Sequence, residues 1–191
     1  MNRSSQLLAS GALLSALAVP ARAQTPTQAQ TPAGITGELI EATSQVEQKL
    51  VGLANALSEA QYDWRPGAGV RSVAEVLLHV AADNYFLPTF LGVSAPASTK
   101  ISANDYPSVQ TYERQKLDRA ATIAALTASF DHLKKAMAEV PESRLNESLK
   151  VFGHDFTVRS FLLLATTHLH EHLGQMIAYA RSNGVTPPWS R

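Results

Sequence analysis

The sequence contains no cysteine among its 191 residues. No disulfide can therefore hold the domain together, and its stability must come from a hydrophobic core. Without thiolates, any bound metal must rest on histidine and carboxylate ligands. An excess of one charge is also absent, because 16 basic residues balance 16 acidic ones and the basic residues do not cluster. We therefore expect no nucleic-acid partner and no polybasic contact with a membrane surface.

Long hydrophobic runs are missing after the N-terminal segment, so we expect no stable membrane anchor. That segment has a positive start, an apolar run from Leu7 to Val19 and an Ala-Arg-Ala ending at Ala23, which together are typical of a signal peptide. The alternative is a frayed N-terminal helix of a cytoplasmic protein. We predict a signal peptide over 1–23 and a periplasmic or secreted mature chain. Loss of Arg3 and Arg22 would leave 14 basic and 16 acidic residues, a net charge of −2.

The mature chain is long enough for one domain with a core. Residues 24–33 are rich in Gln, Thr and Pro, which predicts a disordered lead-in before a domain over 34–191. Apolar residues at spacings of three and four predict a first helix over 34–60. These are Ile35, Leu39, Ala42, Val46, Leu50, Leu53 and Leu57.

The second helix is predicted to begin at a capping box formed by Ser72 and Glu75. Its inward stripe is Val76, His79, Asp83, Phe86 and Phe90. Pro96 and Pro107 favour a loop over 91–110, and twenty extended residues reach ~65 Å, about twice the ~30 Å length of a twenty-residue helix. The loop can therefore cross the whole bundle, so helices two and three can run parallel.

A third helix is predicted over 109–140, ended by Pro141, and a fourth over 157–183, ended by Asn183 and Gly184. The sequence shows no alternating pattern typical of strands and no internal repeat. We therefore predict an all-α four-helix bundle with a long crossover between helices two and three.

The fourth helix carries two histidines at core positions. His168 and His172 are four residues apart, so their imidazoles leave the same face within reach of one ion. His79 lies in the middle of the second helix, on its inward stripe, and can meet them at one level of the bundle. Buried imidazoles need partners, and neutral imidazole is a good ligand for zinc, nickel, copper or iron. The alternative is that all three are core histidines that hydrogen-bond to their neighbours.

Other polar residues are candidates for supporting roles. Asp83, one turn after His79, can orient that histidine or accept a proton, or it can be a solvated aspartate at a groove rim. Glu171 is either a base at the rim or an exposed charge. His170 is predicted to face away from the pair. His132 and His154 have no partner at ligand spacing and are predicted to be solvated.

The chain resembles the DinB-like family of metalloenzymes over nearly the whole predicted mature length. The resemblance depends on Trp64-Arg65-Pro66, on Ser72 and Glu75 followed by His79, on His168, His172 and Gln175, and on the tail from Ala178 to Trp189. It implies an up-down-down-up bundle, a divalent metal held by His79, His168 and His172, and often a homodimer. Characterised members of the family include S-transferases and isomerases that use small-molecule thiols. Those thiols are mainly cytoplasmic, whereas this chain is predicted to be exported.

Two functions follow as hypotheses. The first is a metal-dependent hydrolase or thiol-dependent transferase, with three protein ligands, an open coordination position for a small-molecule substrate, and Asp83 or Glu171 as proton acceptor. Zinc or nickel are the leading metals, and iron is an alternative. The second is a non-catalytic metal- or ligand-binding bundle, in which a closed site joins helices two and four.

Overall fold

The computed structural model describes residues 34–190, so the predicted signal peptide and lead-in lie outside the described residues. Within that range the chain forms five α-helices and one β-hairpin. These are α1 (Gly34–Ala56), α2 (Val73–Phe86), α3 (Tyr106–Glu113), α4 (Arg119–Ala138), β1 (Ser148–Val151), β2 (His154–Thr157) and α5 (Val158–Ser182). The four long helices α1, α2, α4 and α5 form the bundle. No helix among the described residues is long and apolar enough to cross a membrane.

Contacts between the long helices fix their directions. Helices α1 and α2 each pack against both α4 and α5. Thr43 of α1 contacts Met137 near the end of α4, while Arg119 at the start of α4 donates to the carbonyl of Leu57, which directly follows α1. These two helices therefore run antiparallel.

Helices α1 and α5 end at the same end of the bundle, where Gln61 donates to the carbonyl of Asn183. Helices α2 and α5 are antiparallel, because His79 lies against His172 while Asp83, one turn later, contacts His168. The topology is therefore up-down-down-up, with α2 and α4 parallel, as the resemblance implies.

The core lies between the four long helices. Its fully buried side chains include Leu50 from α1, Leu77 from α2, Phe130 from α4 and Phe161 from α5. Burying an aliphatic or aromatic side chain of this size contributes about 1.5–3 kcal/mol to the free energy of folding. A smaller cluster packs α3 against α2. This second cluster holds α3 beside the inward stripe of α2. The sequence did not predict this contact.

The predicted third helix over 109–140 is wrong, because it is two helices. Helix α3 ends at Glu113, and the side chain of Asp118 accepts a hydrogen bond from the backbone of Ala121 to start α4. An aspartate in the helix interior disfavours continuation, whereas at an N-cap it satisfies a free N–H group. The loop predicted over 91–110 is also too long, because Pro107 lies in the first turn of α3, where proline is well tolerated.

The expectation that the chain has no strands is also wrong, because β1 and β2 form an antiparallel hairpin before α5. The turn residues Phe152 and Gly153 have φ values of 51° and 81°. Two consecutive positive φ values match the twist of a two-residue hairpin turn. Strands of four residues are too short to show a clear alternation, so the sequence pattern missed them.

Candidate metal centre

Helix α2 places His79 in the interior of the bundle. The side chain of Ser72 accepts a hydrogen bond from the backbone of Glu75, whose carboxylate accepts one in return from the backbone N–H of Ser72. This capping box, predicted from the sequence, sets where the helix begins and therefore which face carries His79. His79 is 6% exposed, and Asp83 on the same face is also buried.

Helix α5 brings the other two histidines against His79. Ring centroids lie 4.6 Å apart for His79 and His172, 4.5 Å for His168 and His172, and 5.5 Å for His79 and His168. One potential ligand atom from each side chain lies within 4.8 Å of those of the other two. The three predicted metal ligands therefore meet in one cluster.

Hydrogen bonds fix the orientation of His172. The Gln175 amide donates to the Tyr179 hydroxyl, which donates to the backbone carbonyl of Arg71. The Gln175 carbonyl oxygen must then face His172, whose Nδ1–H donates to it over 2.9 Å. This tautomer leaves a lone pair on Nε2 of His172. That atom is buried and has no hydrogen-bond partner in the described part of the chain.

His79 is oriented by a carboxylate that the sequence did not reveal. Its Nδ1–H donates to Oε1 of Glu113 over 2.6 Å, and Oε2 of Glu113 accepts from Arg71 over 3.0 Å. Glu113 is the last residue of α3, a helix predicted to begin elsewhere, and no spacing in the sequence relates it to His79. Nothing in the sequence pattern could have singled it out.

Asp83 lies on the other side of the imidazoles. Its Oδ2 is 2.8 Å from Nε2 of His168 and 3.4 Å from Nε2 of His79. It therefore lies beside the nitrogens that face the centre of the cluster, and not behind a histidine as an orienting acceptor would.

The electrostatic surroundings of the three imidazoles differ. Burial lowers the pKa of His172 to about 4, so this imidazole is neutral at neutral pH. The hydrogen bond to Asp83 raises the pKa of His168, against the effect of burial. Burial alone would raise the pKa of Glu113, but hydrogen bonds and charge from His79 and Arg71 lower it below its usual range. Glu113 is therefore a carboxylate at neutral pH.

This donor set fits a divalent transition-metal ion. Metal-binding histidines usually donate their second ring N–H to a carboxylate or carbonyl oxygen, as His79 does to Glu113 and His172 does to Gln175. A buried imidazole nitrogen without a partner is costly unless something binds it. The free Nε2 of His172 is the observation that a bound ion explains.

Comparison with known proteins identifies the family. The sequence profile of the DinB superfamily matches residues 42–176. This chain belongs to the DinB superfamily. A search of curated proteins found no match.

Solved DinB-like structures share the fold at low sequence identity. A DinB-like protein from Bacillus cereus is 17% identical with a TM-score of 0.64, covering 81% of this chain and 95% of its own. YfiT from Bacillus subtilis, described as a probable metal-dependent hydrolase with an unusual four-helix bundle topology, is 14% identical with a TM-score of 0.61, covering 83% and 94%. A mycothiol-dependent maleylpyruvate isomerase is 13% identical with a TM-score of 0.58, covering 74% of this chain and 60% of the isomerase.

The remaining predicted residues of this DinB-superfamily chain lie outside the cluster. The Glu171 side chain is 77% exposed, and its Oε2 is 3.8 Å from Nδ1 of His168, so it lies at the rim. His170 faces away and is exposed, as predicted, and so is His154. The prediction that His132 is solvated is wrong, because its Nε2 is buried and its ring packs on Tyr85.

A cavity of about 240 Å³ opens beside His79, Asp83 and His168. Its other walls are apolar or aromatic: Phe86, Leu87, Tyr106, Phe152 and Leu164. Mixed apolar walls with a few polar groups at one end are typical of small-molecule sites. The histidine cluster is therefore reachable by a ligand.

Proposed function

We propose that this protein is a divalent-metal-dependent enzyme in which His79, His168 and His172 hold the ion. The observation that carries the proposal is the buried, unpartnered Nε2 of His172 beside two further imidazoles. Three histidines from the protein leave room for a substrate, which is the pattern of catalytic and not structural zinc sites. We propose zinc or nickel as the metal and iron as the alternative.

A bound divalent ion would supply Lewis-acid polarisation of a substrate oxygen or sulfur atom. The protein's own groups do the rest. Asp83 faces the cavity and is placed to accept a proton from a nucleophile held there. Nε2 of His168 is hydrogen-bonded to Oδ2 of Asp83, and this contact holds the carboxylate in place. Glu171 at the rim is the second candidate acceptor.

The reaction that we propose first is hydrolysis, with thiol-dependent group transfer as the other form of the same proposal. The names of two structural relatives, a probable metal-dependent hydrolase and a mycothiol-dependent isomerase, support these classes. The predicted export of this chain favours hydrolysis, because water is available in every compartment and the thiols used by characterised family members are mainly cytoplasmic.

A second candidate function is a non-catalytic metal-binding bundle. The position of Asp83 Oδ2, close to Nε2 of both His79 and His168, favours it. A carboxylate there can act as a fourth protein ligand, and a four-coordinate site without an open position is structural. The ion would then join α2 to α5 and contribute to stability alone.

Elemental analysis of untagged protein tests the metal proposal. We expect about one transition-metal ion per chain, with loss of most of it in His79→Ala and in His172→Ala. His170→Ala is the matched control, since it removes an exposed histidine from the same helix. Protein that takes up neither zinc nor nickel on incubation would refute the proposal.

The Asp83→Ala variant distinguishes between the proposed enzyme and the alternative, a purely structural metal site. In the enzyme, Asp83→Ala keeps the metal, and a small thiol such as dithiothreitol changes the visible spectrum of the cobalt-substituted wild-type protein by binding at the open position. In the structural site, Asp83→Ala loses the metal, and the thiol leaves the wild-type spectrum unchanged.

We also propose that the mature protein is exported and forms a homodimer. The N-terminal segment ending at Ala23 supports export, and the resemblance to DinB-like proteins supports the dimer. The intact mass of protein from the periplasmic fraction is expected to match a chain that begins at Gln24, and light scattering is expected to give twice that mass. A full-length cytoplasmic product would contradict the proposed export. A monomer would contradict the proposed homodimer.

A further inference from the structure

Two cavities meet at Tyr106, the first residue of α3. One is the apolar cavity of about 240 Å³ beside the histidines, and the other is a polar cavity of about 570 Å³. Tyr106 lines both cavities. The hydrogen bond between His79 and Glu113 forms part of the partition between them, because His79 lines the first cavity and Glu113 the second. A ligand that extends past Tyr106 would reach both cavities.

The apolar cavity is shaped for a small hydrophobic group. Its outer wall includes Phe152, which is 60% exposed at the hairpin turn, and Leu164, which is 39% exposed on α5. Phe152 packs on Phe86 and Phe90 at ring-centroid distances of 6.0 and 5.3 Å. The cavity volume corresponds to about eight groups of water size, at about 30 Å³ each. A phenyl ring or an alkyl chain of about six carbons would fit.

The polar cavity carries a net positive charge. Three arginines and two glutamates line it, and both glutamates are already paired. Arg65 pairs with Glu75 at 3.1 Å, and Arg71 pairs with Glu113 at 3.0 Å. The third arginine, Arg114, makes no ion pair with any residue between 34 and 190, so its guanidinium group is free to bind an anion.

We propose, on the basis of the metal-dependent function proposed above, that the substrate is a small organic anion with an apolar body. Its carboxylate or sulfonate group binds Arg114 in the polar cavity, where the guanidinium N–H groups can donate to two oxygens of the anion. Its apolar body occupies the cavity formed by Phe86, Phe152 and Leu164. The part of the substrate that joins its two ends then lies near Tyr106, in the cavity that Asp83 and His79 also line.

Binding of hexanesulfonate, measured by isothermal titration calorimetry, tests the proposal. Sulfonates are weak metal ligands, so the measurement can be made with and without zinc and does not depend on activity. We expect hexanesulfonate to bind at least tenfold more tightly than 1-hexanol or hexylammonium. Comparable binding of all three would refute the anionic half of the proposal.

Paired variants locate the two halves of the ligand. Arg114→Gln and Leu164→Ala are each expected to weaken hexanesulfonate binding about tenfold, since each removes one charge or several apolar atoms from a wall. Arg159→Gln and Leu163→Ala are the matched controls, because both residues are exposed on α5 and neither lines the apolar or the polar cavity. Equal effects of the test and control variants would overturn the assignment.

The outcome also separates this inference from the proposed function. Protein that binds zinc but no hexanesulfonate would refute the anionic substrate and leave the metal site intact. Protein that binds hexanesulfonate through Arg114 and Leu164 but takes up no metal would refute the metal-dependent function and keep the ligand assignment.

Discussion

At the scale of single residues, the site depends on side chains that do not touch the proposed ion. Glu113 and Gln175 each accept a hydrogen bond from Nδ1 of a histidine, so the Nε2 lone pairs of His79 and His172 are available for binding. A flexible imidazole would lose rotational freedom on binding a metal, and these two are already held. The affinity of the site is therefore shared between three ligands and the residues that orient them.

Removal of Glu113 is the sharpest test of this orientation. Glu113→Ala is expected to weaken zinc binding by about 10- to 100-fold, because His79 loses the acceptor that fixes its tautomer. Glu113→Gln keeps an acceptor oxygen and is expected to fall between wild type and Glu113→Ala. The measurement is a competition titration against a zinc chelator. Glu171→Gln serves as the control, since Glu171 is mostly exposed; equal affinities of Glu113→Ala and wild type would contradict the assignment.

The half-buried His172 gives the metal-free protein a predictable pH dependence. Its pKa is about 4 in the folded state and near 6.5 in the unfolded chain, so the unfolded chain binds more protons between those values. The free energy of unfolding should therefore fall as the pH drops from 6.5 to 4. His168 affects stability in a higher pH range, because its pKa is raised in the folded state. Its contribution to the free energy of unfolding is present below pH 6.5 and is lost as the pH rises through the raised pKa.

Urea denaturation in the presence of a chelator measures this effect. The His172→Gln variant is expected to lose stability less steeply than wild type between pH 6.5 and 4. Parallel curves for the two proteins would show that His172 is not buried as a neutral imidazole.

At the scale of elements, the long helices could be predicted and the short ones could not. Helices α1, α2 and α5 carry apolar stripes of several turns, and α2 and α5 begin at capping boxes, so the sequence pattern gives their limits closely. Helix α3 has eight residues and the hairpin strands have four each, which is too short for a periodic signal. Tertiary contacts decide such segments: α3 is held by packing against α2.

The same division applies to the site. His79, His168 and His172 lie on the long helices, where spacing places side chains on known faces, and their convergence was predicted. Glu113 lies at the end of α3, so its position depends on a break and a packing contact that a single sequence does not encode locally. The three histidines of the cluster could therefore be predicted, and the carboxylate behind one of them could not.

The capping box of α2 connects element stability to the site. Ser72→Ala removes the side-chain acceptor for the backbone N–H of Glu75 and is expected to lower the free energy of unfolding by about 1 kcal/mol. Urea denaturation measures this loss. Ser143→Ala is the control, because Ser143 is exposed and its side chain makes no hydrogen bond in the described residues. Equal losses in the two variants would mean that the cap does not stabilise α2.

At the scale of the whole molecule, the proposed ion would join the two antiparallel helices α2 and α5 across the bundle. These helices are far apart in sequence, so their contact is made only on folding, and a ligand that bridges them binds the folded state alone. Such a ligand stabilises the fold by an amount that grows with its free concentration relative to its Kd. The sequence contains no cysteine, so no disulfide links α2 to α5.

Thermal unfolding with and without zinc measures this link. At a free zinc concentration of about 100 times the Kd, the stabilisation is about 2.7 kcal/mol. For a domain of this size, each kcal/mol raises the Tm by about 2–4 °C, so we expect a rise of about 5–10 °C. The His79→Ala variant should show no rise, and His170→Ala should show the full rise, because only the first removes a proposed ligand. A rise that is equal in all three proteins would place zinc elsewhere on the molecule and separate it from the helices that the histidines join.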